Sequence, residues 1–189
     1  GSKKVEVKDD SGKTTTYEAP HIIIATGARS RELPNLKQDG KRIIGYREAL
    51  VLNKLPKSMI VIGSGAIGTE FAYFYHTIGT KVTLIEYLPN IVPLEDEEVS
   101  KELKKEFEKR GIKCLVGNKV ESVEAADNGV KVKVSAEGKE TTLEAEQTLV
   151  AIGFRPNSKG LGLEELGIKT DRGCNIRHVV LIAGCDHLV

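Results

Sequence analysis

The sequence holds no tryptophan, one methionine and only three cysteines in 189 residues. Cys114, Cys174 and Cys185 are odd in number and fit neither a CxxC nor a metal-ligand spacing. That argues against a disulfide-stapled secreted domain and for a reducing compartment, a cytoplasm or an organellar matrix. Charge of one sign is lacking too. The 28 basic and 27 acidic residues leave a formal +1, so the long-range field that a nucleic acid or an anionic membrane attracts is missing. No apolar run approaches the ~20 residues that span a bilayer. No nucleophile stands with a matching base either: G-x-S-x-G, HExxH and CxxxxC are all absent. The expectation is no nucleic-acid partner, no membrane, no metal and no catalytic residue.

What is present is ordinary globular material, 40% hydrophobic and 29% charged, at a length of about 1.3 typical domains. Val5-Glu6-Val7, a turn at Asp9-Asp10-Ser11-Gly12 and Thr14 to Tyr17 read as a β-hairpin. His21-Ile22-Ile23-Ile24-Ala25 reads as a buried strand. A polar connector from Arg29 to Arg42 follows, then a short helix within Tyr46 to Asn53. From Ser58 the pattern becomes strand-helix-strand. Met59 to Ile62 is strand, Ala66 to Ile78 is a helix closed by Gly79, and Lys81 to Ile85 is strand again. A helix from Asp96 to Arg110 has acidic residues first and basic residues last, a core stripe of Val99, Leu103 and Phe107, and the pairs Glu97/Lys101 and Glu106/Arg110. Alternating runs at 113–116, 120–123, 130–134 and 141–143, with turns at Asp127-Asn128-Gly129 and Glu137-Gly138-Lys139, predict an antiparallel meander beside a parallel sheet. Thr148 to Ile152 returns as a buried strand ending at Gly153.

The strongest chemical signal is Gly63-Ser64-Gly65-Ala66-Ile67-Gly68, a GxGxxG that follows a strand and opens a helix. Such glycines permit a tight turn, a close approach of backbone to a pyrophosphate, and close packing of helix on strand, while the helix N-terminus faces the phosphates. Glu86, at the end of the next strand, fits the acid that accepts a hydrogen bond from an adenine-ribose hydroxyl, and no Arg or Lys follows it in Tyr87-Leu88-Pro89-Asn90 to meet a 2′-phosphate. NAD is therefore favoured over NADP. His21 and His76 read as core or edge histidines; His178 and His187 lack ligand spacing. From residues alone, a binding module is better supported than an enzyme.

With these residues in view, the chain resembles the middle of the dihydrolipoamide dehydrogenase family, the two-dinucleotide flavoprotein disulfide reductases. Ile22 to Ala28 followed by Arg31-Glu32-Leu33-Pro34 is similar to the family's ATG segment, and Gly63 to Glu70 to its NAD fingerprint. Val82 to Glu86 with Ile91-Val92-Pro93, and Leu149 to Asn157 with Gly160 to Glu164, resemble the ribose-binding strand and the segment leaving the NAD domain. The resemblance covers about residues 5 to 173. It implies cofactor contacts from Gly63, Ser64, Gly65, Ala66, Ile67, Gly68, Thr69, Glu70 and Glu86, with Val120 near the adenine and Gly153 by the NAD cleft. Thr26, Gly27 and Ala28 would touch FAD, which belongs to the full-length parent only. Val180 to Asp186 is similar to the family's flavin-binding strand, interrupted by Cys185, with Asp186 as a flavin contact.

The implied fold is α/β and Rossmann-like in three layers, a central parallel sheet with a small antiparallel meander. Residues 1–45 and 157–189 would be flanking pieces of an FAD domain, and 46–156 the NAD-binding domain. In the parent oxidoreductase, a homodimer served by lipoyl-bearing proteins, FAD and a redox disulfide carry electrons from dihydrolipoamide to NAD. This fragment alone is expected to be inactive. A stand-alone NAD-binding or redox-sensing module, or the NAD(P) domain of a related disulfide reductase, stays open.

Overall fold

Met59-Ile60-Val61-Ile62 has no polar side chain to turn toward water, so as a strand it must be covered on both faces. A computed structural model, which describes residues 3–171, shows how. Along the chain the elements run β1 (Lys4–Lys8), β2 (Thr14–Glu18), β3 (Ala28–Ser30), β4 (Ile43–Ile44), α1 (Tyr46–Leu50), β5 (Ser58–Ile62), α2 (Ala66–Thr77) and β6 (Lys81–Ile85). Then come α3 (Glu97–Arg110), β7 (Lys113–Leu115), β8 (Lys119–Ala126), β9 (Gly129–Ala136), β10 (Lys139–Ala145), β11 (Gln147–Val150) and β12 (Phe154–Pro156). Two compact units divide them. One takes the chain up to Arg29 and again from Arg155; the other spans Ser30–Phe154.

The second unit is built on a five-stranded sheet of order β4-β11-β5-β6-β7, with every pair parallel. Alternate residues point to opposite faces of a strand, and the two faces bury in different cores. Met59 and Val61 of β5, Val82 and Leu84 of β6 and Leu149 of β11 meet Ala72 and Tyr75 of α2 and Phe107 of α3. Ile60, Ile62, Ile85 and Val150 meet Val130, Val132 and Val134 of β9. Helices, parallel sheet and the antiparallel meander β10-β9-β8 are thus three layers. Each fully buried Ile or Leu adds roughly 1.5–3 kcal/mol. Asp96 caps α3, its carboxylate accepting from the Glu98 N–H at 2.9 Å, with Glu97 and Glu98 at the positive end of the helix and Lys109 and Arg110 at the negative end.

In the first unit β1 and β2 form the expected hairpin. Its turn is organised by Asp9, whose Oδ1 accepts from Ser11 N, Ser11 Oγ and Lys13 N at 2.9, 2.6 and 3.0 Å. Thr26 and Asn157 bind each other: Thr26 Oγ1 donates to Asn157 O at 2.8 Å, and Asn157 Nδ2 donates to Thr26 O at 3.1 Å. β3 and β12 pair where the chain leaves and re-enters this unit.

Several sequence expectations change. His21 to Ala25 is not a buried strand: it is irregular, and Ile23 is 79% exposed. Among the described residues no strand pairs with it, and an extended apolar run without a ladder partner gains no backbone hydrogen bonds. Residues 113–115 belong to the parallel sheet, as its edge β7, and not to the meander. In α3 Leu103 and Phe107 face the core as expected, but Val99 is exposed and Ser100 is buried instead, its hydroxyl donating to Val92 O at 3.3 Å. Glu97/Lys101 forms at 2.7 Å, but Glu106 pairs with Lys109 at 3.5 Å, and Arg110 lies over the Tyr73 ring at 5.7 Å. The second unit begins at Ser30, earlier than residue 46, because Leu36 and Ile43 are buried in its core. Cys174, His178, Cys185, Asp186 and His187 lie outside the described residues.

Candidate functional site

Between the end of β5 at Ile62 and the start of α2 at Ala66 the chain reverses within three residues. Gly63 does this with φ +94°, where an L side chain is strained, and its N–H donates to Ile85 O at 2.8 Å. A Cβ there would also meet Ala151 O at 2.5 Å. Gly68 lets α2 press against the turn: a Cβ on it would run into the Gly63 carbonyl. Gly65 differs. Its φ is an ordinary −64°, and a Cβ built on it meets nothing within 4 Å, so it borders open space. As the N-cap it has no side chain to bond the first N–H groups of α2, which have no acceptor inside the helix.

Glu86 follows β6 and is buried, at 9% exposure. Its Oε2 accepts from Ser64 N at 2.9 Å and from Ser64 Oγ at 2.7 Å, and its Oε1 accepts from Leu88 N at 2.9 Å. Ser64 itself has no exposure, and its carbonyl accepts from Val92 N at 2.8 Å.

Gly63 to Ile67, Glu86 to Leu88 and Val150 to Phe154 surround a cleft of about 600 Å³ at the C-terminal ends of β5, β6 and β11. There the chain order switches, β6 lying on one side of β5 and β11 on the other, which is where open parallel sheets take ligands. At one wall Tyr46 and Phe154 stack edge to face, 5.2 Å between centroids. A second hollow of about 380 Å³ shares Arg31, Gly63, Glu86, Tyr87 and Ile152 with the first and adds Asn118, Lys119 and Val120.

Of the expected site residues, Gly63, Ser64, Gly65, Ala66, Ile67, Glu86 and Gly153 therefore line one cleft, and Val120 the hollow that shares Glu86 with it. Gly68 stands behind the turn. Thr69 is buried, its hydroxyl donating to Gly65 O and Ala66 O at 3.1 and 2.8 Å. Glu70 faces a separate apolar hollow with Phe71 and Phe74. Thr26, Gly27 and Ala28 line neither cleft nor hollow. Sequence reasoning missed Tyr46, Phe154 and Arg31. Among the described residues the Arg31 side chain has no hydrogen-bond or ion-pair partner, whereas Lys119 is held by Glu121 at 2.8 Å. Only the ATG-like segment that contains Arg31 hinted at it.

Other chemistry is not organised here. No group of described residues is arranged to hold a metal, and no described helix is long and apolar enough to cross a membrane. Cys114 is buried, and burial pushes its thiol up to about 11, so it stays protonated and unreactive. His21 and His76 line neither cleft nor hollow.

Comparison with known proteins shows the family. A family model described as pyridine nucleotide-disulphide oxidoreductase matches residues 1–179. The dihydrolipoyl dehydrogenase of Rhizobium etli is 49% identical over 160 residues, 84% of this chain and 33% of that protein. Among solved structures, LpdA of Mycobacterium tuberculosis superposes with a TM-score of 0.78 at 35% identity, covering 90% of this chain and 36% of that one. The water-forming NADH oxidase of Lactobacillus brevis, solved bound to NADH, gives 0.72 at 26% identity, covering 90% and 38%. The chain spans about a third of the length of the dehydrogenase it matches.

Proposed function

As this chain belongs to the pyridine nucleotide-disulphide oxidoreductase family, whose members work with FAD and NAD(P), we propose that residues 30–154 bind NAD(H) and form the nicotinamide-dinucleotide site of a dihydrolipoyl dehydrogenase. One observation carries the reading: the Glu86 carboxylate, the Gly63–Gly65 turn and the open start of α2 line a single cleft at a strand switch point.

The residues present fit that cofactor. The space beside Gly65 admits a phosphate against the backbone, and the N–H groups that open α2 supply donors and a partial positive charge. Arg31, lining both hollows, adds a full positive charge for the pyrophosphate. Glu86 accepts from the adenine ribose and repels a 2′-phosphate. The hollow at Val120 takes the adenine, and the Tyr46/Phe154 pair beside Gly153 walls the nicotinamide end. Bound there, NAD+ supplies a hydride acceptor. In the whole dehydrogenase, dihydrolipoamide gives up two electrons by way of a redox disulfide and FAD, within a homodimer that meets lipoyl-bearing proteins. The share of this chain is to bind and orient the dinucleotide.

The test is a titration of the 189-residue chain with NADH, NADPH and FAD, followed by fluorescence and absorbance. NADH is expected to bind at least about tenfold more tightly than NADPH, since a like charge set against a fixed carboxylate costs several kcal/mol. FAD shares the ADP half of NAD, so it is the necessary competitor. Retention of FAD in preference to NADH overturns the nicotinamide assignment in favour of a flavin one, and equal binding of NADH and NADPH overturns the role given to Glu86.

A further inference from the structure

A carboxylate offers about four acceptor positions, two on each oxygen. On Glu86 three of the four are filled from within the protein. Both positions on Oε2 go to Ser64, through its N–H at 2.9 Å and its hydroxyl at 2.7 Å, and one on Oε1 goes to the Leu88 N–H at 2.9 Å. Ser64 is fully buried, and its carbonyl is taken by Val92 N–H at 2.8 Å, so the donor cannot easily turn away. Yet the carboxylate still lines both hollows.

We propose that Ser64 is a specificity-determining positioning residue: by occupying Oε2 it fixes the Glu86 carboxylate and leaves one acceptor, on Oε1, for the ribose. This rests on the NAD(H) reading above and goes beyond it in two ways. Glu86 takes one ribose hydroxyl, not two. Discrimination against a 2′-phosphate depends on the Ser64 hydroxyl as well as on the glutamate's charge, because the hydroxyl makes the shortest of the three bonds that hold the carboxylate and its loss loosens Oε2 against an incoming phosphate. The hydroxyl donates to an ionised acceptor, the stronger class of hydrogen bond.

Two measurements on the full chain decide it. The first uses Ser64→Ala, Glu86→Ala and the double variant, titrated with NADH and NADPH. Ser64→Ala is expected to weaken NADH by about tenfold and to change NADPH by less than about twofold, so that the ratio of the two affinities falls. In the Glu86→Ala background the same change should have no further effect, since Ser64 acts through that carboxylate. A purely structural serine would weaken both nucleotides alike and would do so in either background; that result overturns the proposal. The second needs no variant and so stands even if Ser64→Ala fails to fold. Analogues of NADH lacking either the 2′- or the 3′-hydroxyl of the adenine ribose should differ: one loses about tenfold, the other less than about twofold. Equal losses overturn the single-acceptor geometry. Absence of NADH binding by the unaltered chain removes the underlying reading as well, whereas NADH binding that Ser64→Ala leaves unchanged removes only this inference.

Discussion

Gly63, Gly65 and Gly68 share one motif but serve two purposes. Gly63 and Gly68 are glycine for the protein's own sake, one because its backbone is left-handed and crowded by Ala151, the other because α2 touches the Gly63 carbonyl. Gly65 is under neither constraint, and in the proposed reading its missing side chain leaves room for the dinucleotide. Alanine separates the two. Gly68→Ala should cost about 3 kcal/mol or more in urea unfolding, since backbone cannot yield to a new methyl. Gly65→Ala should stay within about 1 kcal/mol of the parent while losing NADH binding by titration. A stable Gly68→Ala, or a Gly65→Ala that binds NADH normally, contradicts the division. The motif is plain in the sequence, and so are the turn at Gly63 and the close packing at Gly68; what is not legible is that Ala151, far along the chain, crowds Gly63. The same holds for Tyr46 and Phe154, which meet only through folding, and for Arg31, whose sequence neighbours look like connector.

At the scale of elements, readability followed the number of covered faces. β5, buried on both sides, is an unbroken apolar run from Met59 to Ile62, and β6 is apolar apart from Lys81 and Thr83, so the pattern assigns both directly. β7 is an edge strand with one neighbour, so Lys113-Cys114-Leu115 alternates like a meander strand, and only the ladder to β6 places it in the parallel sheet. His21 to Ala25 fails the other way: it has strand composition and no described partner. Helix α3 was readable at its ends because capping is local. Asp96→Ala removes the acceptor of the Glu98 N–H and should lower stability by about 1 kcal/mol, read as a shift of the urea midpoint at unchanged slope; no shift contradicts the cap. Its buried face was less readable, since Ser100 turns inward through a bond to Val92, a residue held at φ +41°.

At the scale of the molecule, the parallel sheet, both apolar cores and every residue of the proposed NAD(H) site lie within Ser30–Phe154. A protein made of residues 30–154 should therefore unfold in one cooperative transition and bind NADH within about threefold of the full chain, as expected of a segment with its own core. A broad, non-cooperative melt or loss of binding contradicts this. The position of that unit was harder to read than its content, because the segment from Ser30 to Ile43 is polar overall and commits to the core through few residues, among them Leu36 and Ile43.

The pairing of β3 with β12, and the bond from Arg31 N to Gly153 O at 2.9 Å, place the two ends of this unit side by side. To the chain on either side, an excursion of more than a hundred residues is then geometrically equivalent to a tight loop. Such a cassette can vary or lengthen internally without moving its points of attachment.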